Sequence, residues 1–293
     1  MNRETSAGVA TVSQLCRAFG MSRQAYYKAL NPAVSTSEPA AEPRRGRWVT
    51  AEEASHAISR LAGMYPSFGV RKIWACLRRE GLRVSQKRVW ALMRSLGLCV
   101  PTEERRTRRP MGQVTAPGSN RRWATDMTTV WTRRDGWVAV MPVVDCGDRV
   151  LLALEASKPQ TAPALLAPVE HALERVFGER KNVPMDLELR TDHGPQYTGL
   201  DCEQLCWRWQ IEHTYAPVGR PTGNAVAERG ILTLKTDLIW TQDWDSLEEV
   251  QAALAAWIDV YNTQRPHQAL DWLTPAEKRA EHLRPTEEAS LAS

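Results

Sequence analysis

The chain has 293 residues, 43% hydrophobic and 25% charged, with a formal net charge of +4. This composition excludes a broadly disordered chain, and no apolar run reaches the roughly 18 residues of a membrane span. The opening "MNRETSAGVATVSQ" lacks the apolar centre of a secretion signal, and six scattered cysteines suit buried thiols in a reducing cytoplasm better than a disulfide framework.

Residues 1–33 predict a helix-turn-helix-like module. Within "TVSQLCRAFGMSRQAYYKAL", Gly20 separates two short helices and Ser22 caps the second. Residues 34–46, rich in Pro, Ala, Ser and Glu, predict a linker. Residues 47–100 predict a basic helical module. Its first helix carries Thr50 as N-cap and Glu53 at the capping-box position. The second places Val70, Ile73, Trp74 and Leu77 on one stripe, with Arg71 and Lys72 elsewhere, where they suit contacts to DNA. The third begins at Ser85 and turns Val89, Leu92, Met93 and Leu96 inward. Gln86, Lys87 and Arg88 at its N-terminal end suit contacts to base edges and phosphates. Residues 101–120, with four arginines, predict a basic linker that tracks phosphates.

The charge changes sign along the chain. Residues 1–119 hold 20 Lys and Arg against 8 Asp and Glu, whereas residues 120–293 hold 18 against 26. A basic arm on an acidic body points to a polyanion partner, here nucleic acid.

Residues 121–280 predict an α/β body with a mixed five-stranded sheet, and 281–293 a C-terminal tail. "RWATDMTTVWT", "WVAVMPVVD" and "RVLLALEAS" form a three-strand meander. A helix, the strand "DLELRTD", a second helix, the strand "IEHTYA" and two C-terminal helices near 223–241 and 246–262 follow. Pro142 inside the second strand implies an edge or a bulge.

Three carboxylates stand out. Asp126 interrupts the apolar first strand, Asp192 ends the fourth, and Glu228 follows a Gly- and Pro-rich lead-in to a helix. Clustered carboxylates repel unless cations neutralise them, and hard oxygen donors suit Mg²⁺ or Mn²⁺. Beside a basic arm, such a cluster suggests metal-assisted phosphodiester chemistry. Lys235 lies on the Glu228 face of its helix, and His193, following Asp192, is a candidate to touch the scissile phosphate or to hold the turn. Asp145, at the end of the second strand, reads as structural packing before a supporting role. Trp123, Trp131 and Trp137 read as core and strand-face residues. Trp207, Trp209, Trp240 and Trp244 are candidates for base stacking. Cys202, Cys206 and His213 lack an evident fourth ligand, so zinc is not expected.

The pattern D…D-x35-E resembles the catalytic triad of DDE transposases and retroviral-type integrases, and most resembles OrfB-type transposases of bacterial insertion sequences. Five stretches carry the likeness: "YPSFGVRKIWACLRREG…VSQKRVWALMRSLGL", "WATDMTTV", "RTDHGPQYTG", "GNAVAERGILTLKTDL" and "YNTQRPHQALDWLTPAE". The resemblance implies a ribonuclease H-like core and a transposase that cuts and joins DNA. It implies catalytic and metal-binding roles for Asp126, Asp192 and Glu228, with Mg²⁺ or Mn²⁺ as two ions. It gives Lys235 a DNA contact and Arg265 a place in the loop that closes the core, within reach of DNA. It further implies a homo-oligomer assembled on insertion-sequence ends and target DNA, associated with the nucleoid when bound. An upstream reading frame is a common source of a partner DNA-binding region in this family. The paired His and Cys zinc module at the front of retroviral integrases has no counterpart. Arg229–Gly230 after the Glu departs from the family's bulkier residues. A regulator that occupies element ends, and a metal nuclease that does not join, remain the alternatives.

Overall fold

A computed structural model describes residues 47–100, 118–216 and 224–284. The module at 1–33, the linker at 34–46, most of the basic linker and most of the tail lie outside the described residues.

The helical module follows its local signals. Helix α1 (Ala51–Met64) starts at a complete Thr50/Glu53 capping box. Helix α2 (Val70–Arg79) buries Ile73 and Leu77, and its Trp74 is half-buried, donating from the indole N–H to the Val84 carbonyl at 3.0 Å. Helix α3 (Gln86–Ser95) is capped by the Ser85 hydroxyl and buries Val89 and Met93. Leu96 departs from its expected inward position and is exposed, because the helix has ended by then and Gly97 turns the chain at a positive φ. A two-residue parallel ribbon, β1 (Arg47–Trp48) with β2 (Leu82–Arg83), also joins the module. These strands are too short for periodicity to reveal.

The body is a mixed sheet between helices. β3 (Arg122–Thr125) and β4 (Thr128–Thr132) both pair antiparallel with β5 (Gly136–Asp145) in one unbroken register, from Trp123 opposite Asp145 to Thr132 opposite Gly136. They are two halves of the single expected strand. Asp126 and Met127 fall between them, opposite Pro142 and Met141. Pro142 is not at an edge: β6 (Leu151–Ser157) pairs with its other side, Leu154 opposite Pro142. A residue without an N–H weakens the ladder where it sits. Accordingly, β3–β4 is interrupted opposite Pro142, and the β5–β6 register shifts between Val143 and Val144. β7 (Glu188–Thr191) then pairs in parallel with β3, and β8 (Glu212–Tyr215) in parallel with β7. The five strand lines therefore run β6, β5, β3/β4, β7, β8.

One sheet face packs on α4 (Ala162–Phe177) and α6 (Leu200–Trp209), through Leu166, Val169, Leu205 and Cys206. The other packs on α7 (Ala225–Asp237) and α8 (Leu247–Thr263), through Ala227, Leu234, Leu254 and Trp257. The short α5 (Pro195–Thr198) joins β7 to α6. A further helix, α9 (Pro275–His282), opens on a Thr274/Glu277 capping box. Its Arg279 reaches two fully buried carboxylates at the β5–β6 turn, Asp145 at 2.8 Å and Asp148 at 2.7 Å. Asp145 is thus structural.

The described residues all belong to one compact unit. Arg79 of α2 forms a two-point ion pair with Glu277 of α9. Arg265 pairs with Asp237 at 2.7 Å, is 7% exposed, and lies over the Phe68 and Tyr261 rings. Among the described residues, no helix is long and apolar enough to cross a membrane.

Candidate active site

The register of β3 against β7 levels the first two carboxylates. Ala124 lies opposite Arg190, so Asp126 and Asp192 are each two residues further along neighbouring parallel strand lines. Side chains two apart in a strand share a face, and neighbouring strands are about 4.8 Å apart. Asp126 stands in the break between β3 and β4, and Asp192 directly follows β7. Each folds back on its own turn: Asp126 Oδ1 accepts the Met127 N–H at 2.7 Å, and Asp192 Oδ1 accepts the Gly194 N–H at 2.8 Å.

Helix α7 brings the third. Its N-cap, Asn224, is buried and donates its side-chain amide to the Thr125 carbonyl at 3.2 Å. That bond fixes the start of α7 beside the end of β3. Glu228 lies one turn into the helix and is exposed, and Lys235 follows two turns later.

The charges of Asp192 and Glu228 are felt at Asp126. Burial pushes the Asp126 carboxyl up to about 6; the charges of Asp192 and Glu228 add to this, while the Met127 N–H and the Lys235 ammonium oppose it. None of the three carboxylates makes an ion pair with another described residue. Tyr197 of α5 is fully buried. Burial raises its phenol, and both Asp126 and Asp192 push it further in the same direction, so it stays neutral. Hard oxygen donors, uncompensated and partly desolvated, fit a divalent cation.

The other candidate residues separate. Gln86, Lys87 and Arg88 are exposed on the first turn of α3, and Arg71 is exposed on α2. His193 is exposed, its ring stacked on Tyr215 at 4.9 Å. Lys72 turns inward over the Phe68 ring at 4.6 Å, and burial beside Arg265 lowers its pKa to about 8. Lys72 and Arg265 therefore face the packing between helical module and body, where Asp237 and aromatic rings occupy them, instead of an open DNA surface.

The tryptophans divide likewise. Trp123, Trp209 and Trp244 are buried, whereas Trp131, Trp137, Trp207 and Trp240 are exposed. Among the cysteines, Cys76, Cys146, Cys202 and Cys206 are buried, but Cys99 is exposed. Asn224 and Tyr197 were not singled out from sequence. Asn224 stands immediately before an apolar helical run, a capping signal that was available.

Residues 116–221 and 209–275 match family models described as Integrase core domain, and residues 51–106 match one described as HTH-like domain. A Mycobacterium tuberculosis (strain CDC 1551 / Oshkosh) protein named for transposase of insertion sequence element IS986/IS6110 is 32% identical over 254 residues. The alignment spans 82% of this chain and 91% of that protein. The chain belongs to the insertion-sequence transposases. The Escherichia coli transposase InsD for insertion element IS2A/D/F/H/I/K is 28% identical over 247 residues, 80% of each chain. The transposase is thus a DDE-type polynucleotidyl transferase with an integrase core domain. A simian T-cell lymphotropic virus intasome, solved in complex with a PP2A regulatory subunit, overlays with a TM-score of 0.49 at 18% identity, covering 78% of this chain and 75% of that one. The HTLV-2 integrase catalytic core in complex with magnesium overlays at 0.41 and 15% identity, covering 56% and 98%.

Proposed function

We propose that this transposase cuts and joins DNA strands at the terminal repeats of an insertion sequence, using Asp126, Asp192 and Glu228 as its catalytic carboxylates. The observation that carries this reading is the common level of Asp126 and Asp192 on neighbouring strands, with α7 tied to the same strand end through Asn224 and Thr125. The three side chains would hold Mg²⁺ or Mn²⁺, as two ions. When bound, the ions would neutralise the carboxylates, activate a water or a DNA 3′-OH, and stabilise the leaving 3′ oxygen.

The residues around the cluster have separable tasks. Asn224 sets the start of α7 and so the height of Glu228. Lys235 engages the DNA end from the same helical face. His193, beside Asp192, contacts the backbone near the scissile phosphate. Arg71, Gln86, Lys87 and Arg88 bind the terminal repeats through the helical module. The active assembly is a homo-oligomer on DNA that pairs two element ends, with an upstream-frame protein as a further partner. It acts in the bacterial cytoplasm and associates with the nucleoid when bound.

An in vitro assay on the element's own ends tests the reading. Joined strand-transfer products should form with Mg²⁺ or Mn²⁺ and vanish in EDTA. Hydrolysed ends without joined products would support a nuclease, and end binding without either would support a regulator.

A further inference from the structure

The second cluster of chemistry-bearing side chains lies on the opposite flank of β7 from β3. Cys202 and Cys206 are one turn apart on α6, and His213 projects from β8. Their ligand atoms all lie within 4.8 Å of one another. Among the described residues, this is the one group of potential metal ligands that close. The spacing of the two cysteines showed one helical face, but only the pairing of β8 with β7, Leu189 opposite His213, delivers the imidazole to it.

The hydrogen bonds fix the state of His213. The Thr191 hydroxyl donates its one proton to the Asp192 carbonyl at 2.9 Å. At 3.0 Å from the same oxygen, His213 Nε2 must therefore donate. Both ring nitrogens lie 3.9 Å from Cys202 Sγ, and Nδ1 is the one left with its lone pair. A metal-binding histidine characteristically gives its other N–H to an oxygen in this way.

We infer that Cys202, Cys206 and His213 Nδ1 form a binding site for a thiophilic divalent cation of the Zn²⁺ class. Zn–S and Zn–N bonds of about 2.3 and 2.0 Å place ligand atoms on one ion roughly 3.6–3.8 Å apart, so small side-chain rotations close the present set. Binding releases the thiol protons to solvent and changes no oxidation state. Three protein ligands leave the fourth position to a water on the half-buried His213 side. The site differs from the carboxylate cluster in donor chemistry, since thiolates select soft metals and carboxylates hard ones. Its outer bond, through Thr191, nevertheless ends on the main chain of Asp192, so loading pins α6 and β8 to the strand end that carries that residue.

Cobalt titration of the full-length chain under a non-thiol reductant tests the site. One equivalent of Co²⁺ should give a thiolate-to-cobalt charge-transfer band, displaced by Zn²⁺. The band should persist in D126N and in C76S. It should be lost in C202S and in H213N, and Thr191→Val should weaken Zn²⁺ binding about tenfold. Thermal melts of the same samples guard against misfolding: Zn²⁺ should raise the wild-type midpoint but not that of C202S or, as a second variant, C206A. A folded wild-type chain without the band, or a band that survives both C202S and C206A, overturns the site.

Discussion

Asp126 and Asp192 stand level with each other, each two residues beyond the Ala124–Arg190 pair that joins β3 to β7. Neither carboxylate forms an ion pair with a described cation, and burial hinders the ionisation of Asp126. Its folded pKa, about 6, lies above the ordinary 3.8. The folded chain therefore holds this proton more tightly than the unfolded chain, and the linked stability falls as pH rises from about 4 to about 6. Asp126→Asn removes that loss. The variant should be more stable than the wild type at pH 7.5, by on the order of 1–2 kcal/mol, with the difference shrinking toward pH 4. Thermal melts at both pH values measure this, and an equal or lower stability of the variant at pH 7.5 would remove the electrostatic strain from the account. Mg²⁺ should raise the wild-type midpoint and leave that of the variant nearly unchanged.

The helical module offers a contrast between outward and inward basic residues. Lys87 and Arg88 are exposed on the first turn of α3, whereas Lys72 is packed against Phe68. Each phosphate contact removed should lower the slope of log K against log salt by about 1. Lys87→Ala and Arg88→Ala should each do so. Lys72→Ala should leave the slope unchanged and lower the thermal midpoint. Anisotropy titrations on terminal-repeat DNA at several salt concentrations separate the outcomes; a slope change in Lys72→Ala alone would reverse the assignment.

Arg279 holds Asp145 and Asp148 together from α9, and both carboxylates are fully buried. Removing the guanidinium strands two neighbouring buried charges. Arg279→Ala should cost about 3 kcal/mol or more in a urea melt at neutral pH. A loss under 1 kcal/mol would mean that the backbone N–H groups of Asn120, Gly147 and Val150 suffice to hold the pair.

Gly230 sits in α7, where an added Cβ would meet nothing within 4 Å. No close approach calls for glycine there. Gly230→Ala should therefore stabilise the chain by about 1 kcal/mol through helix propensity. Denaturant melts decide it, and destabilisation would point to a helix movement that needs glycine at this position.

What was legible in the sequence follows from the range of each interaction. The capping box at Thr50 and Glu53 is local, and the helix it opens was foreseen. Asp126 and Asp192 were legible because a carboxylate in an apolar strand needs a reason. Their common level was not, since it depends on a parallel pairing across more than 60 residues. Lys72 reads as a DNA-facing cation and Arg265 as a core-closing residue within reach of DNA, yet Phe68 and Asp237, brought in by tertiary packing, draw both inside. Helix α9 was passed over because "PAEKRAEH" has almost no apolar period, although Thr274 and Glu277 spell its capping box. Cys202, Cys206 and His213 are legible as a possible group, and the sequence argues against zinc for want of a fourth ligand; that their ligand atoms close depends on sheet register, which the sequence does not show.

The most direct test of the central claim is strand transfer by Glu228→Gln, which keeps side-chain volume and removes one charge. Wild type and variant are compared on the same terminal-repeat DNA with Mg²⁺, and binding is followed in parallel by mobility shift without metal. The variant should bind ends as the wild type does and lose cleavage and joining by roughly a thousandfold or more, as Asp126→Asn and Asp192→Asn should. Joined products from Glu228→Gln at the wild-type rate would contradict the assignment of the three carboxylates.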